Sequence, residues 1–242
     1  ALCICTRLEE VDTVLGLAGR DPRLFATVGV HPDNEGVREP DVDTLVRLAA
    51  HPRVVGIGET GLDYYRLNGR SVAEMQWQRD RFAVHIEAAR RTDLPLVVHT
   101  RSASDDTVAM LRAATAGPGG VRGVFHCFTE THEVAAAALD MGFQISFSGI
   151  LSFRNAQALR DVARAVPLDR CLIETDSPYL APMPHRGKMN TPAWVPHVAE
   201  ALAAAKGLSV AAVAEATRGN FERLFGLPPV ATVDAETAGE TA

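Results

Sequence analysis

Four side chains able to bind a divalent cation each follow a short apolar run. Val54-Val55-Gly56-Ile57-Gly58 leads into Glu59, Leu96-Val97-Val98 into His99, Val124-Phe125 into His126, and a run opened by Cys171 into Asp176. Imidazoles and carboxylates are ordinary ligands of divalent metals, and an ion so held can turn water into a nucleophile at neutral pH. No Ser/His or Cys/His pair offers a competing nucleophile. The chemistry these residues could do is therefore metal-assisted hydrolysis. Glu59, with Gly58 before it and Gly61 beyond, could bridge two ions where backbone approaches closely. Asp176 could be a second oxygen ligand, or the base that takes a proton from the attacking water. Glu59 and Asp176 are thus the candidate catalytic carboxylates, and Glu59, His99, His126 and Asp176 the candidate metal ligands.

Taken singly, each has a plainer explanation. A lone histidine is more often a satisfied structural residue, Glu59 could be a solvated loop acid, and Asp176 could serve the turn before Ser177-Pro178. Convergence is what raises them, because His99 and His126 end runs that should be neighbouring strands. His31, after Val28-Gly29-Val30, is either a further ligand or a donor to a substrate oxyanion. Arg101, Arg186 and Lys188 fall on loops at the same end, where they could clamp a phosphate or simply be solvated. His51, His85, His132 and His197 lie within or beside helical patterns and read as chemically idle.

Strand-like runs near 2–5, 24–30, 54–58, 95–99, 121–126, 143–147 and 171–174 alternate with helical patterns near 8–19, 41–50, 73–91, 104–115, 131–141 and 155–165. Such alternation is the signature of βα units around a parallel sheet. In 73–91, Met75, Phe82 and Ile86 share one face opposite charged residues, as in a packing helix. Two closing helices come after them, from Pro192 to Gly207 and from Ser209 to Phe225. The expected class is α/β, a (β/α)8 TIM-type barrel, whose active sites form at the C-terminal strand ends. The count is seven strands where a closed barrel has eight, so the first βα unit is expected to be missing from this chain. Ala1 followed at once by Leu2-Cys3-Ile4-Cys5 is explained by removal of an initiator Met, or by an absent upstream segment. One domain is expected over 1–227, and a disordered tail over 228–242, which is rich in Thr, Ala and Glu.

The 242 residues are 47% hydrophobic, enough for a sizeable core, and carry a formal net charge of -6. That charge excludes a global basic field for gripping duplex DNA, leaving room for a few local phosphate contacts. No apolar run approaches the roughly 20 residues of a membrane span, and no basic segment leads into an apolar leader. Cys3, Cys5, Cys127 and Cys171 all sit in apolar runs and read as small buried hydrophobes. A cytoplasmic protein with neither membrane nor obligate protein partner is expected.

Several blocks resemble, in order, the TatD family of metal-dependent deoxyribonucleases. They are Val28-Gly29-Val30-His31-Pro32, Gly56-Ile57-Gly58-Glu59-Thr60-Gly61-Leu62-Asp63-Tyr64, Val98-His99-Thr100-Arg101, Phe125-His126-Cys127-Phe128-Thr129 and Glu174 to Pro182. Arg186 to Pro192 and Asn220 to Gly226 match as well. The resemblance implies a barrel of the amidohydrolase superfamily, one or two divalent cations, and hydrolysis of DNA phosphodiesters, exonucleolytic in the expected form. It implies that Glu59, His99 and His126 ligate metal, that Asp176 is a ligand or base, and that His31, Tyr64 and Arg101 line the substrate site; Arg186 joins the expected substrate-binding set from its place on a mouth loop. Many members open with a His-x-His strand that this chain lacks, which implies one tightly held ion and a second left to Asp176 with little help. Two alternatives stand beside this: a superfamily hydrolase of an amide, ester or lactone, and an inactive fragment. No strand ends in the lysine that superfamily amide hydrolases often carbamylate, which favours the nuclease.

Overall fold

The computed structural model describes residues 1–117 and 119–229. Seven apolar runs form strands: β1 (Leu2–Cys3), β2 (Phe25–Val28), β3 (Val54–Asp63), β4 (Leu96–Arg101), β5 (Gly123–Phe125), β6 (Gln144–Phe147) and β7 (Cys171–Ile173). They pair in sequential order, every pair parallel. Parallel neighbours need a crossover between them. Helices α1 (Val11–Ala18), α2 (Val42–Ala49), α3 (Gln76–Thr92), α4 (Ser104–Thr115), α5 (His132–Asp140) and α6 (Gln157–Ala165) supply it. Two more, α7 (Val195–Lys206) and α8 (Val210–Leu224), come after the last strand. Side chains that satisfy free backbone N–H groups start several of them: Asp41 accepts from Thr44, Thr131 from Val134 and Ser209 from Ala212.

The larger apolar cluster lies between strands and helices, and includes Phe82, Leu96, Phe125 and Phe143. A smaller one joins Val55, Val97, Val124 and Leu172 to Leu224 and Phe225 of the last helical turn and the residue beyond it. Val97, Val124 and Leu172 precede His99, His126 and Glu174 by two residues, so they share a strand face with them. This second cluster is the barrel interior, and the end of α8 packs against it. The polar residues stand two positions further on, one residue beyond β5 and β7 and within the last residues of β4.

The architecture is the TIM-type barrel with seven strands. Among the described residues β1 pairs only with β2 and β7 only with β6, so the curled sheet has two free edges. Most boundaries fall within three residues of expectation. β3 is the exception, running five residues past the expected end at 58. Its register against β4 shifts between Ile57 and Thr60, and only glycine fits the approach: a Cβ on Gly61 would lie 1.9 Å from the His99 carbonyl oxygen. The extra length carries both Glu59 and Asp63. Of the tail expected to be disordered, 230–242 lies outside the described residues. No single described helix is long and apolar enough to cross a membrane.

Candidate metal centre

Each of four strand ends is tied to a neighbour before its side chain is deployed. The N–H of Glu59 donates to Cys5 O at 2.8 Å, that of His31 to Thr6 O at 2.9 Å, and those of His126 and Glu174 to Val98 O and Phe147 O at 3.0 Å. Glu59 Oε1 is the hub. His126 Nε2 stands 2.7 Å from it, His99 Nδ1 3.2 Å and His31 Nε2 3.3 Å. Two of these rings also meet a carboxylate on their other nitrogen: Asp63 Oδ2 lies 3.0 Å from His99 Nε2, and Glu174 Oε1 3.1 Å from His126 Nδ1. Ligand-capable atoms of His31, Glu59 and His99 lie within 4.8 Å of one another, as do those of His126, Glu174 and Asp176. Asp176 (φ 57°) and Cys127 (φ 45°) are held in left-handed backbone, a strain of about 1–3 kcal/mol each that typically gathers at functional sites.

Burial opposes every charge here, and the neighbours override it for most. Desolvation raises the Glu59 carboxyl, but the His126 charge and hydrogen bonds from His126, His31 and His99 hold it well below its usual range. Desolvation lowers His126, yet Glu59 and Glu174 push it well above. His99 is raised by Asp63 and Glu59 against the same penalty, while Asp63 and Glu174 are lowered by the imidazoles they face. Asp176 goes the other way, to about 6, because burial dominates and Glu174 and Glu59 add to it. Four carboxylates against three imidazoles leave a negative pocket that a divalent cation would neutralise. Donor atoms this close also suit an ion bound at about 2.0–2.6 Å. The residues fit a metal.

Glu59, His99, His126 and His31 come together, and Asp176 has His126 and Glu174 beside it. The expectation that Asp176 stands with little help is therefore corrected. Tyr64 is not brought to the cluster: its buried hydroxyl donates to Asp106 Oδ2 at 2.7 Å and accepts from Arg79 at 2.9 Å, and burial with Asp106 pushes it up to about 12. Arg101 and Arg186 are exposed, laid over the rings of Tyr65 at 3.6 Å and Phe153 at 4.4 Å. Lys188 is exposed in the loop after β7.

Glu174 and Asp63 escaped notice as functional residues although both lie in the conspicuous blocks. Glu174 precedes Asp176 by two, the spacing that marks one strand face. A second group lies on α3. Gln78 takes the Asp63 N–H at 2.8 Å and donates to its carbonyl at 2.9 Å. The buried guanidinium of Arg81 donates to the carbonyls of His31 at 2.8 Å and Asn34 at 2.9 Å while pairing with Glu39. His85 accepts the Val30 N–H at 3.0 Å. The sequence signal was three polar residues recurring on a helix's apolar face beside Phe82 and Ile86.

A parallel βα barrel with a histidine and carboxylate ring at its strand ends defines a metal-dependent hydrolase. The comparisons agree: a family model described as TatD related DNase matches residues 1–226, and the chain belongs to that family. It is 50% identical over 225 residues to the uncharacterized metal-dependent hydrolase YcfH of Escherichia coli (strain K12), spanning 93% of this chain and 82% of the relative. The 3'-5' ssDNA/RNA exonuclease TatD of Citrobacter rodentium is 34% identical over 229 residues, 92% of this chain and 84% of that protein. Among solved structures, the TatD homologue YJJV of Escherichia coli K12 superposes with a TM-score of 0.83 at 25% identity, covering 94% of this chain and 86% of that one.

Proposed function

We propose that this chain hydrolyses phosphodiester bonds in DNA, removing nucleotides from an end, as a divalent-metal enzyme. The observation that carries the reading is the pair of three-ligand groups meeting at buried Glu59 and His126. A divalent cation held there by Glu59, His31 and His99, or by His126, Glu174 and Asp176, supplies Lewis acidity and a more acidic water. Glu59 faces three imidazoles at once and fixes their orientation. With the ion held by Glu59, His31 and His99, Asp176, whose carboxyl burial raises to about 6 in the metal-free protein, is suited to take the proton of the attacking water as its oxygen bonds to phosphorus and the scissile P–O bond breaks, the leaving oxygen taking a proton from solvent. Arg101 and Arg186 offer guanidinium forks for the flanking phosphates.

The exonuclease activity for which the Citrobacter relative is named supports the DNA reading. For the amide-hydrolase alternative, the chain's two lysines are badly placed: Lys188 is on the exposed loop, and Lys206 donates to Val166 O at the end of α7. The four free cysteines suit a reducing cytoplasm. The test is digestion of an end-labelled oligonucleotide. Shortening products should form only with a divalent ion, and Glu59→Gln should lose several kcal/mol of transition-state stabilisation, about a thousand-fold in rate. Full activity in excess EDTA would sink the proposal.

A further inference from the structure

Among the described residues, the large apolar side chains left in water include two aromatics, Tyr65 at 59% and Tyr179 at 69% exposure. Both stand beside the candidate centre. Tyr65 lies two residues beyond Asp63, and its N–H donates to Asp63 Oδ1 at 2.9 Å while Asp63 Oδ2 holds His99. Tyr179 lies three residues beyond Asp176. Its N–H donates to Asp176 O at 2.9 Å, and its carbonyl accepts from buried Asn190 at 2.6 Å. The Tyr65 backbone is pinned to the Asp63 carboxylate and the Tyr179 backbone to the Asp176 main-chain carbonyl, whereas no described hydrogen bond holds either phenol. Arg101 covers one side of the Tyr65 ring, so its large exposure belongs to the rest.

An aromatic ring normally buries about 150–250 Å²; two kept in solvent on fixed backbone, just beyond Asp63 and Asp176, are preorganised for flat ligands. A chain of net charge -6 cannot rely on phosphate attraction alone, and stacking supplies affinity that does not depend on charge. From this geometry we infer that Tyr65 and Tyr179 are stacking platforms for unpaired nucleobases flanking the scissile phosphate, a residue-level basis for the single-strand activity for which the Citrobacter relative is named. The inference rests on the phosphodiesterase reading above. Paired bases inside a duplex are stacked on each other and offer no free face to either ring.

Binding of a single-stranded oligonucleotide carrying 2-aminopurine, followed by fluorescence quenching without turnover, tests this directly. Tyr65→Ala and Tyr179→Ala should each raise Kd by about ten-fold, with Tyr65→Phe and Tyr179→Phe near wild type. A blunt duplex, or an abasic strand of equal length, should bind more weakly than the single strand. In steady state, the alanine variants should lose far more on the oligonucleotide than on the abasic strand, which keeps the phosphodiesters and carries no base. Wild-type affinity in both alanine variants, equal losses on the two substrates, or duplex binding as tight as single-strand binding would overturn the inference. Failure of the wild type to hydrolyse either substrate, with the quenching pattern intact, would count against the phosphodiesterase reading alone.

Discussion

His85 and His126 are both largely shut away from water, yet the protein drives their protonation in opposite directions. His85 lies inside α3 with backbone partners only: Nε2 accepts from Val30 N–H, so Nδ1 carries the proton and faces Arg81 O at 2.8 Å. Burial pushes it down to about 4. His126 ends β5 between Glu59 and Glu174, which raise it well above its ordinary value. The difference teaches that what a buried imidazole faces, more than its depth, decides its use. Backbone dipoles make a neutral brace; paired carboxylates make a site that holds protons until a cation replaces them.

Exchanging the two histidines' fates is the sharpest way to break that comparison. His126→Ala should cost metal-dependent activity about a thousand-fold. His85→Leu should instead lower stability by about 1–3 kcal/mol, the cost of leaving the Val30 N–H unpaired, with a much smaller loss of activity through a loosened His31 loop. Parallel activity assays and urea titrations check both, and similar activity losses in the two variants would erase the distinction.

Acid titration sharpens it. The folded value of His85, about 4, lies below the ordinary 6.5, so between those pH values the unfolded chain binds more protons and stability falls as pH drops. The contribution is fully present above 6.5, and on the order of 3 kcal/mol is lost by pH 4. Urea titrations of metal-free protein across that window should show a steeper decline for wild type than for His85→Leu. Equal slopes would mean that His85 is not the buried neutral base described.

A smaller effect concerns the mouth. His99 and His126 are raised, so the metal-free protein should hold protons there near neutral pH and release them on binding a divalent ion. Calorimetric titration in buffers of different ionisation enthalpy should therefore show net proton release, with apparent affinity rising with pH. No buffer dependence would contradict the protonated resting state.

Much of this was legible in the sequence because a strand end is a local event. An apolar run that stops at His99 or His126 marks both the strand and the point where a polar side chain leaves it. The extent of β3 was hidden, since Gly58 and Gly61 look like strand breakers until β4 is seen pressing against them. Tyr64 and Tyr65 were indistinguishable as neighbours, and only packing against Asp106 and Arg79 turns Tyr64 inward. The α3 brace left its trace only on the helix itself, as polar residues on an apolar face. Gln78, Arg81 and His85 act on backbone atoms of other segments, and no residue pattern in those segments records the contact.

Anomalous diffraction from crystals soaked in manganese tests the central claim most directly. The account predicts density within about 2.0–2.6 Å of ligand atoms at His31, Glu59 and His99 or at His126, Glu174 and Asp176. No peak at saturating manganese, or peaks only elsewhere on the molecule, would contradict it.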